Sequence, residues 1–235
     1  MTSNVTESSE LIYSRSFVGG LEGKYKSVAK FVKPNDRVLE LGCADGYFGQ
    51  ALNFLGAKVT GVENVDLYAN LARERGVAVI SCDLDDTKAI EKIDGQFEII
   101  LAMDVLEHLK NPRECLVALK SKLTPNGILV VTGPNVAYWW VRLALLRGLW
   151  RYEKTGIMDE THLRFFTLDS WRDLLIDAGF SVSHVGAAET GMIPAQRWIA
   201  LIFGQRLINN LAEFFTRKMP RLFACVVFMV GRKNA

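Results

Sequence analysis

The stretch that most narrows what this chain can fold into is Val38-Leu39-Glu40-Leu41-Gly42-Cys43-Ala44-Asp45-Gly46-Tyr47-Phe48-Gly49. A short apolar run holding one acid reads as a buried parallel strand, apolar throughout because both faces are covered. Residues 42, 44 and 46 are small, as a tight turn requires where backbone must come close to a ligand. A helix follows, with Phe48, Ala51, Leu52 and Leu55 on one stripe. Strand, glycine turn and helix in this order form the nucleotide-cradling unit of an open α/β sheet.

Which nucleotide depends on what comes next. Ala44-x-Gly46-x-x-Gly49 passes for a degenerate dinucleotide fingerprint, so NAD has to be weighed. A second strand, Lys58-Val59-Thr60-Gly61-Val62-Glu63, ends in an acid suited to two ribose hydroxyls, which NAD would need as well. Beyond a third strand, Val77-Ala78-Val79-Ile80, the run Ser81-Cys82-Asp83-Leu84 places an acid to accept from an adenine amino group. A fourth strand, Phe97 to Ala102, runs into Met103-Asp104-Val105-Leu106-Glu107-His108-Leu109, a block for which a dehydrogenase has no particular use.

Taken in order, these segments resemble the class I S-adenosylmethionine-dependent methyltransferases. Glu40 to Gly46 resembles their first cofactor loop, with Ala44 where Gly is commoner, and Leu123-Thr124-Pro125-Asn126-Gly127 resembles the turn into their fifth strand. The resemblance implies that S-adenosylmethionine is the cofactor and that Glu40, Gly42, Ala44, Gly46, Glu63, Asp83, Leu84 and Met103 bind it. The alternation of strands and helices predicts an α/β, doubly wound, Rossmann-like sheet. The resemblance raises it to seven strands, with strand 7 antiparallel and helical insertions after strand 5 and between strands 6 and 7. A helix is expected over 20–33, strands near 180–187 and 222–231, and a capped helix from Thr167 ending at Ala178-Gly179.

A chain of 235 residues suits a single domain, 1–235, with residues 1–10 a loose tail and insertions at 136–166 and 190–219. A net charge of +2 argues against a nucleic-acid binder, which carries a strong basic excess. The four widely spaced cysteines read as thiols in a reducing compartment. The polar N-terminus has no signal-peptide core, so the cytoplasm is the expected location, with the inner membrane surface as a second.

Both insertions are apolar and basic. Residues 136–155 set Arg142, Arg147, Arg151 and Lys154 against Glu153, and 192–221 set Arg197, Arg206, Arg217, Lys218 and Arg221 against Glu213. One reading makes them a helical lid walling the substrate pocket; another lays them on an anionic membrane; a third makes them a dimer interface, leaving the oligomeric state open. Charges interrupt every apolar run short of the ~20 residues that span a bilayer. Trp139, Trp140, Trp150 and Trp198 are expected to border the acceptor pocket or its mouth, on a face made basic by Arg142, Arg147 and Arg206.

A hydroxyl acceptor must lose a proton, which calls for a base or a metal. Of three histidines, His184 sits in a strand and reads as structural, whereas His108 follows the fourth strand at the ligand-binding edge. His162 lies in Asp159-Glu160-Thr161-His162-Leu163-Arg164-Phe165-Phe166, which resembles a segment of small-molecule and glycan methyltransferases whose histidine faces the active site. His108 and His162 are the catalytic candidates. Ubiquinone-pathway and polysaccharide-associated O-methyltransferases are the nearest neighbourhood. The reading needs no metal; a variant of it gathers Asp104, Glu107 and His108 on one helical turn with His162 as a divalent-metal set, with Asp104 where the resembled set has Glu. The expected reaction is O-methylation of a small molecule, lipid-linked compound or glycan. N- or C-methylation and a non-catalytic cofactor-binding partner are the alternatives.

Overall fold

A computed structural model describes residues 21–192 and 204–234. Its strands are β1 Arg37–Leu41, β2 Lys58–Val62, β3 Ala78–Ile80, β4 Phe97–Met103, β5 Leu123–Pro134, β6 Phe180–Thr190 and β7 Ala224–Lys233. They form one seven-stranded sheet in the order β3-β2-β1-β4-β5-β7-β6. β1 to β5 run parallel, and β7 lies antiparallel between β5 and β6. The strand order reverses between β1 and β4, opening a crevice beyond their carboxyl ends where ligands of such sheets bind.

Side chains alternate across each strand, so the apolar run of β1 feeds two cores. Val38 packs with Val28 of α1 (Gly23–Ala29), Phe48 and Leu52 of α2 (Tyr47–Phe54), and Ala72 of α3 (Asp66–Glu74). Leu39 and Leu41 point the other way, towards Ile90 of α4 (Thr87–Glu91), Leu116 of α5 (Pro112–Leu119), and Trp171 and Leu175 of a later helix, Leu168–Asp177. Thr167 caps that helix, its hydroxyl accepting from Ser170 N at 3.2 Å, and Trp171 donates its indole N–H to Pro134 O at 3.0 Å.

The N-terminal helix is shorter than the 20–33 expected, because the chain turns out of helix before Pro34 and Asn35, the latter at φ 69°. The first insertion holds a single helix, α6 (Trp139–Leu146). Gly148, at φ 69°, closes it, with Leu149 N donating to Ala144 O at 3.0 Å. Residues 147–166 are irregular rather than helical. They are held by backbone bonds such as Glu160 N to Glu153 O at 2.9 Å and Val136 N to Phe166 O at 2.9 Å. With Leu168–Asp177 as α7, α8 (Gln205–Lys218) and α9 (Pro220–Phe223) lead into β7. The tail at 1–10 and Trp198 lie outside the described residues. Among the described residues no helix is long and apolar enough to cross a membrane.

Candidate active site

A cavity of about 900 Å³ occupies the crevice, within the range of small-molecule sites. At one end the β1–α2 turn forms its floor. Gly42 takes φ 59°, and a Cβ there would lie 2.8 Å from Val105 Cγ2, so only glycine lets the turn pass under the cavity. Ala44 also adopts a positive φ, 46°, and its N–H donates to Glu63 Oε2 at 3.1 Å. Glu63 Oε1 accepts from Asn64 N and Val65 N, both at 2.9 Å. Three backbone donors thus fix the carboxylate at the end of β2, and its remaining lone pairs are available to hydroxyls. Asp83, held in a local turn by Asp85 N at 2.9 Å, lines the same end with Leu84, Val65 and Tyr68, and Met103 lines the middle.

Two of the expected cofactor residues do not reach this wall. Glu40 is buried beneath the turn, where desolvation, followed by the charge of Asp45, pushes its carboxyl up to about 8. Its Oε2 has no hydrogen-bond partner. Gly46 packs against Ala72. Both belong to the turn's foundations, which is where an inward-pointing strand acid ends up when the next residue turns outward.

At the other end stand the histidines. One donor atom from each of Glu107, His108 and His162 lies within 4.8 Å of the others. Glu107 is fully buried with neither carboxylate oxygen hydrogen-bonded, and desolvation, then Asp104, raises its pKa well above the usual carboxylate range. Its carbonyl accepts from Leu163 N at 2.9 Å and Arg164 N at 3.0 Å, which ties the irregular loop to the end of β4 and brings His162 in. His108 Nδ1 lies 3.2 Å from Thr161 O and 3.1 Å from Thr161 Oγ1. The Thr161 hydroxyl gives its only proton to Asp159 Oδ1 at 2.7 Å, so it can only accept from His108. His108 therefore carries its proton on Nδ1. His162 Nδ1 donates to Ile157 O at 3.2 Å. Both rings keep a lone pair on Nε2. Burial, then the nearness of His108, lowers the His162 pKa and favours the neutral ring.

Residues 21–185 match the family described as Methyltransferase domain. The chain belongs to that family. It is 28% identical over 151 residues to a ubiquinone biosynthesis O-methyltransferase of Cereibacter sphaeroides, covering 61% of this chain and 59% of that protein. A relative of the same description from Psychrobacter arcticus is 24% identical over 201 residues, covering 77% of this chain and 73% of that protein. The chain thus spans about 59% of the length of the first of these relatives. In fold it is similar to a SAM-dependent methyltransferase from Archaeoglobus fulgidus, with TM-score 0.63, 19% identity and coverage of 89% and 91% of the two chains.

Within this methyltransferase domain three expectations can be set beside the structure. Asp104 is not part of the histidine cluster: at φ 54° it turns to accept from Thr132 Oγ1 at 2.8 Å and pairs with Lys24 Nζ. The cluster is one carboxylate and two imidazoles. Second, Trp139, Trp140 and Trp150 do not line the cavity. Trp139 donates to Met192 O at 2.6 Å, Trp150 packs edge-on against Phe165 with centroids 5.0 Å apart, and Trp140 is exposed. Third, Arg142 is exposed, as expected of a basic face, and its Nε donates to Ala137 O at 2.6 Å. Pro134, Ile157, Cys225, Val226 and Glu189 complete the wall of the cavity. Lys24, Thr161 and Asp159 also line the cavity, at positions no motif marks. Lys24 sits in a short helix with no signature, while Asp159 and Thr161 stand in the quoted loop segment but show their roles only through hydrogen bonds. His184 stacks on Phe228 at 5.2 Å, a structural position.

Proposed function

We propose that this protein is an S-adenosylmethionine-dependent O-methyltransferase acting on a hydroxyl of a small molecule, a class that takes in lipid-linked compounds and glycans. The observation that carries the reading is one cavity with two ends: the Gly42 turn, Glu63 and Asp83 at one, the Glu107–His108–His162 cluster at the other. Glu63 would take the ribose hydroxyls, Asp83 the adenine amino group, and Leu84 and Met103 would pack beside them. Lys24, among the described residues the only Lys or Arg lining the cavity, would take the cofactor's carboxylate. Bound there, the cofactor supplies an electrophilic methyl group on a sulfonium. The chain's own task is to hold the acceptor in line and remove its proton. His162 accepts that proton on Nε2, kept neutral by its burial, and a positioned base of this kind contributes roughly 10²–10⁴-fold. Titration calorimetry with S-adenosylhomocysteine tests the reading. Binding should be seen, and Glu63→Ala should weaken it by about 1–3 kcal/mol, the cost of unpaired polar groups. NADH binding with none of S-adenosylhomocysteine would refute it.

A second reading is favoured by the buried, unpartnered oxygens of Glu107 beside the imidazoles of His108 and His162. This donor set fits a divalent cation such as Mn, Fe or Zn, which would acidify the acceptor hydroxyl. Dialysis against EDTA should then abolish turnover and metal should restore it; an unchanged rate would refute this reading. The partner we assign to the outer wall of the acceptor side is an anionic membrane surface.

A further inference from the structure

Every residue from Leu145 to Gly156 is exposed. The stretch contains Leu145, Leu146, Leu149, Trp150 and Tyr152, with Leu146 84% exposed, and Trp140 on the preceding helix adds an indole that is 55% exposed. Contiguous apolar side chains in water on a domain surface mark an interaction site. Their setting says what kind. Arg147 and Arg151 interleave with them and form no ion pair among the described residues, whereas Lys154 pairs with Glu160. The cavity behind is lined by Glu63, Asp83, Asp85, Asp104, Glu107, Asp159 and Glu189 with Lys24 as the only Lys or Arg among the described residues, so the outer arginines do not serve to hold an anion in the site.

We propose that residues 140–152 seat the protein on an anionic lipid bilayer. Leucines and indoles enter the headgroup boundary, while Arg147 and Arg151 meet lipid phosphates with their stems lying along the apolar surface. Trp150 is braced for this by Phe165 and Tyr152, at centroid distances of 5.0 and 6.3 Å. The same segment continues into Thr155, Gly156 and Ile157, which line the cavity, so seating sets the acceptor wall at the bilayer. The substrate class that follows is an amphipathic hydroxyl compound drawn from the membrane, a deduction that rests on the reading of the cavity as the methyl-transfer site.

Flotation of the full chain with vesicles tests the seating. Vesicles of phosphatidylcholine with phosphatidylglycerol should carry the protein at low salt and phosphatidylcholine alone should not. Binding should fall in 1 M salt, where the screening length drops to ~3 Å from ~10 Å at 0.1 M. Arg147→Gln with Arg151→Gln should lower partitioning about 25-fold, from about fivefold per charge. Leu146→Ser with Trp150→Ser should abolish flotation yet leave S-adenosylhomocysteine binding unchanged. That binding assay separates the two ideas: its failure in the parent protein counts against the methyltransferase reading and not against the seating. Four results would overturn the seating: no flotation on anionic vesicles, equal flotation on neutral ones, flotation indifferent to both double variants, or a salt-insensitive dimer lost in Leu146→Ser with Trp150→Ser.

Discussion

Replacing Thr161 by Val removes one oxygen and should slow turnover without touching the cofactor end. In the parent, His108 Nδ1–H has two acceptors on Thr161, the hydroxyl at 3.1 Å and the carbonyl at 3.2 Å. The hydroxyl is oriented by Asp159, which takes its proton at 2.7 Å and is itself held by Thr161 N at 2.8 Å. Thr161→Val keeps the carbonyl and the backbone bond to Asp159, so the loop should stay in place. What is lost is one hydrogen bond that sets the His108 ring and its tautomer, about 1 kcal/mol. Through the rate equation that is roughly a fivefold fall in kcat. Thr161→Ser should restore most of it, and KM for S-adenosylmethionine should not move, since Gly42 and Glu63 are far along the cavity. Nitrogen NMR of the parent should show His108 protonated on Nδ1. A parent His108 protonated on Nε2, or Thr161→Val turning over at the parent rate, would refute the chain from Asp159 through Thr161 to His108. The expectation is the same whether Nε2 of His108 orients the acceptor or holds a metal.

Other perturbations separate the two ends of the cavity and the turn beneath it. Lys24→Met should weaken S-adenosylhomocysteine about 10- to 100-fold, as loss of a charge-assisted hydrogen bond of about 1.5–3 kcal/mol implies. It should leave 5′-methylthioadenosine, which lacks the carboxylate, unaffected in calorimetry; equal losses would refute the assignment. Glu40 holds its proton up to about 8 in the fold, while an unfolded chain releases it near the ordinary carboxylate value of 4.5. Between those values the native state binds the extra proton, so stability falls as pH rises, by at most about 1.4 kcal/mol per unit. Glu40→Gln should flatten that slope between pH 5 and 8 in urea melts, and parallel slopes would show that Glu40 is not protonated there. Glu107 adds a slope of the same sign to both proteins and cancels in the comparison.

The cofactor half was legible because strand ends are local features. An apolar run followed by Gly42, and acids at the ends of β2 and β3, place a turn and two carboxylates side by side once the sheet is parallel. Glu40 is in the same motif, but alternation along β1 sends it under the turn instead of into the cavity wall. The acceptor half could not be read in the same way. His162 reaches Glu107 only because Leu163 N and Arg164 N bond to the Glu107 carbonyl, and no periodicity records a bond between segments about 55 residues apart. The tryptophans show the same limit from the other side. Composition revealed that 136–155 is apolar and basic, but a helix ended by Gly148 and followed by an irregular loop has no fixed stripe from which to read its buried side. The fold resolves the matter by using both sides of one segment. Its inner residues, among them Ile157, Asp159, Thr161 and His162, wall a cavity whose charged groups are mostly acidic, and its outer ones, Leu145 to Tyr152, carry apolar and cationic groups to solvent. On the reading proposed above, an acceptor hydroxyl taken on the inner side and a surface met on the outer side would be coupled through a dozen residues of backbone. A change to the outer leucines that alters turnover on vesicle-borne acceptor, but not on a soluble analogue, would be that coupling made visible.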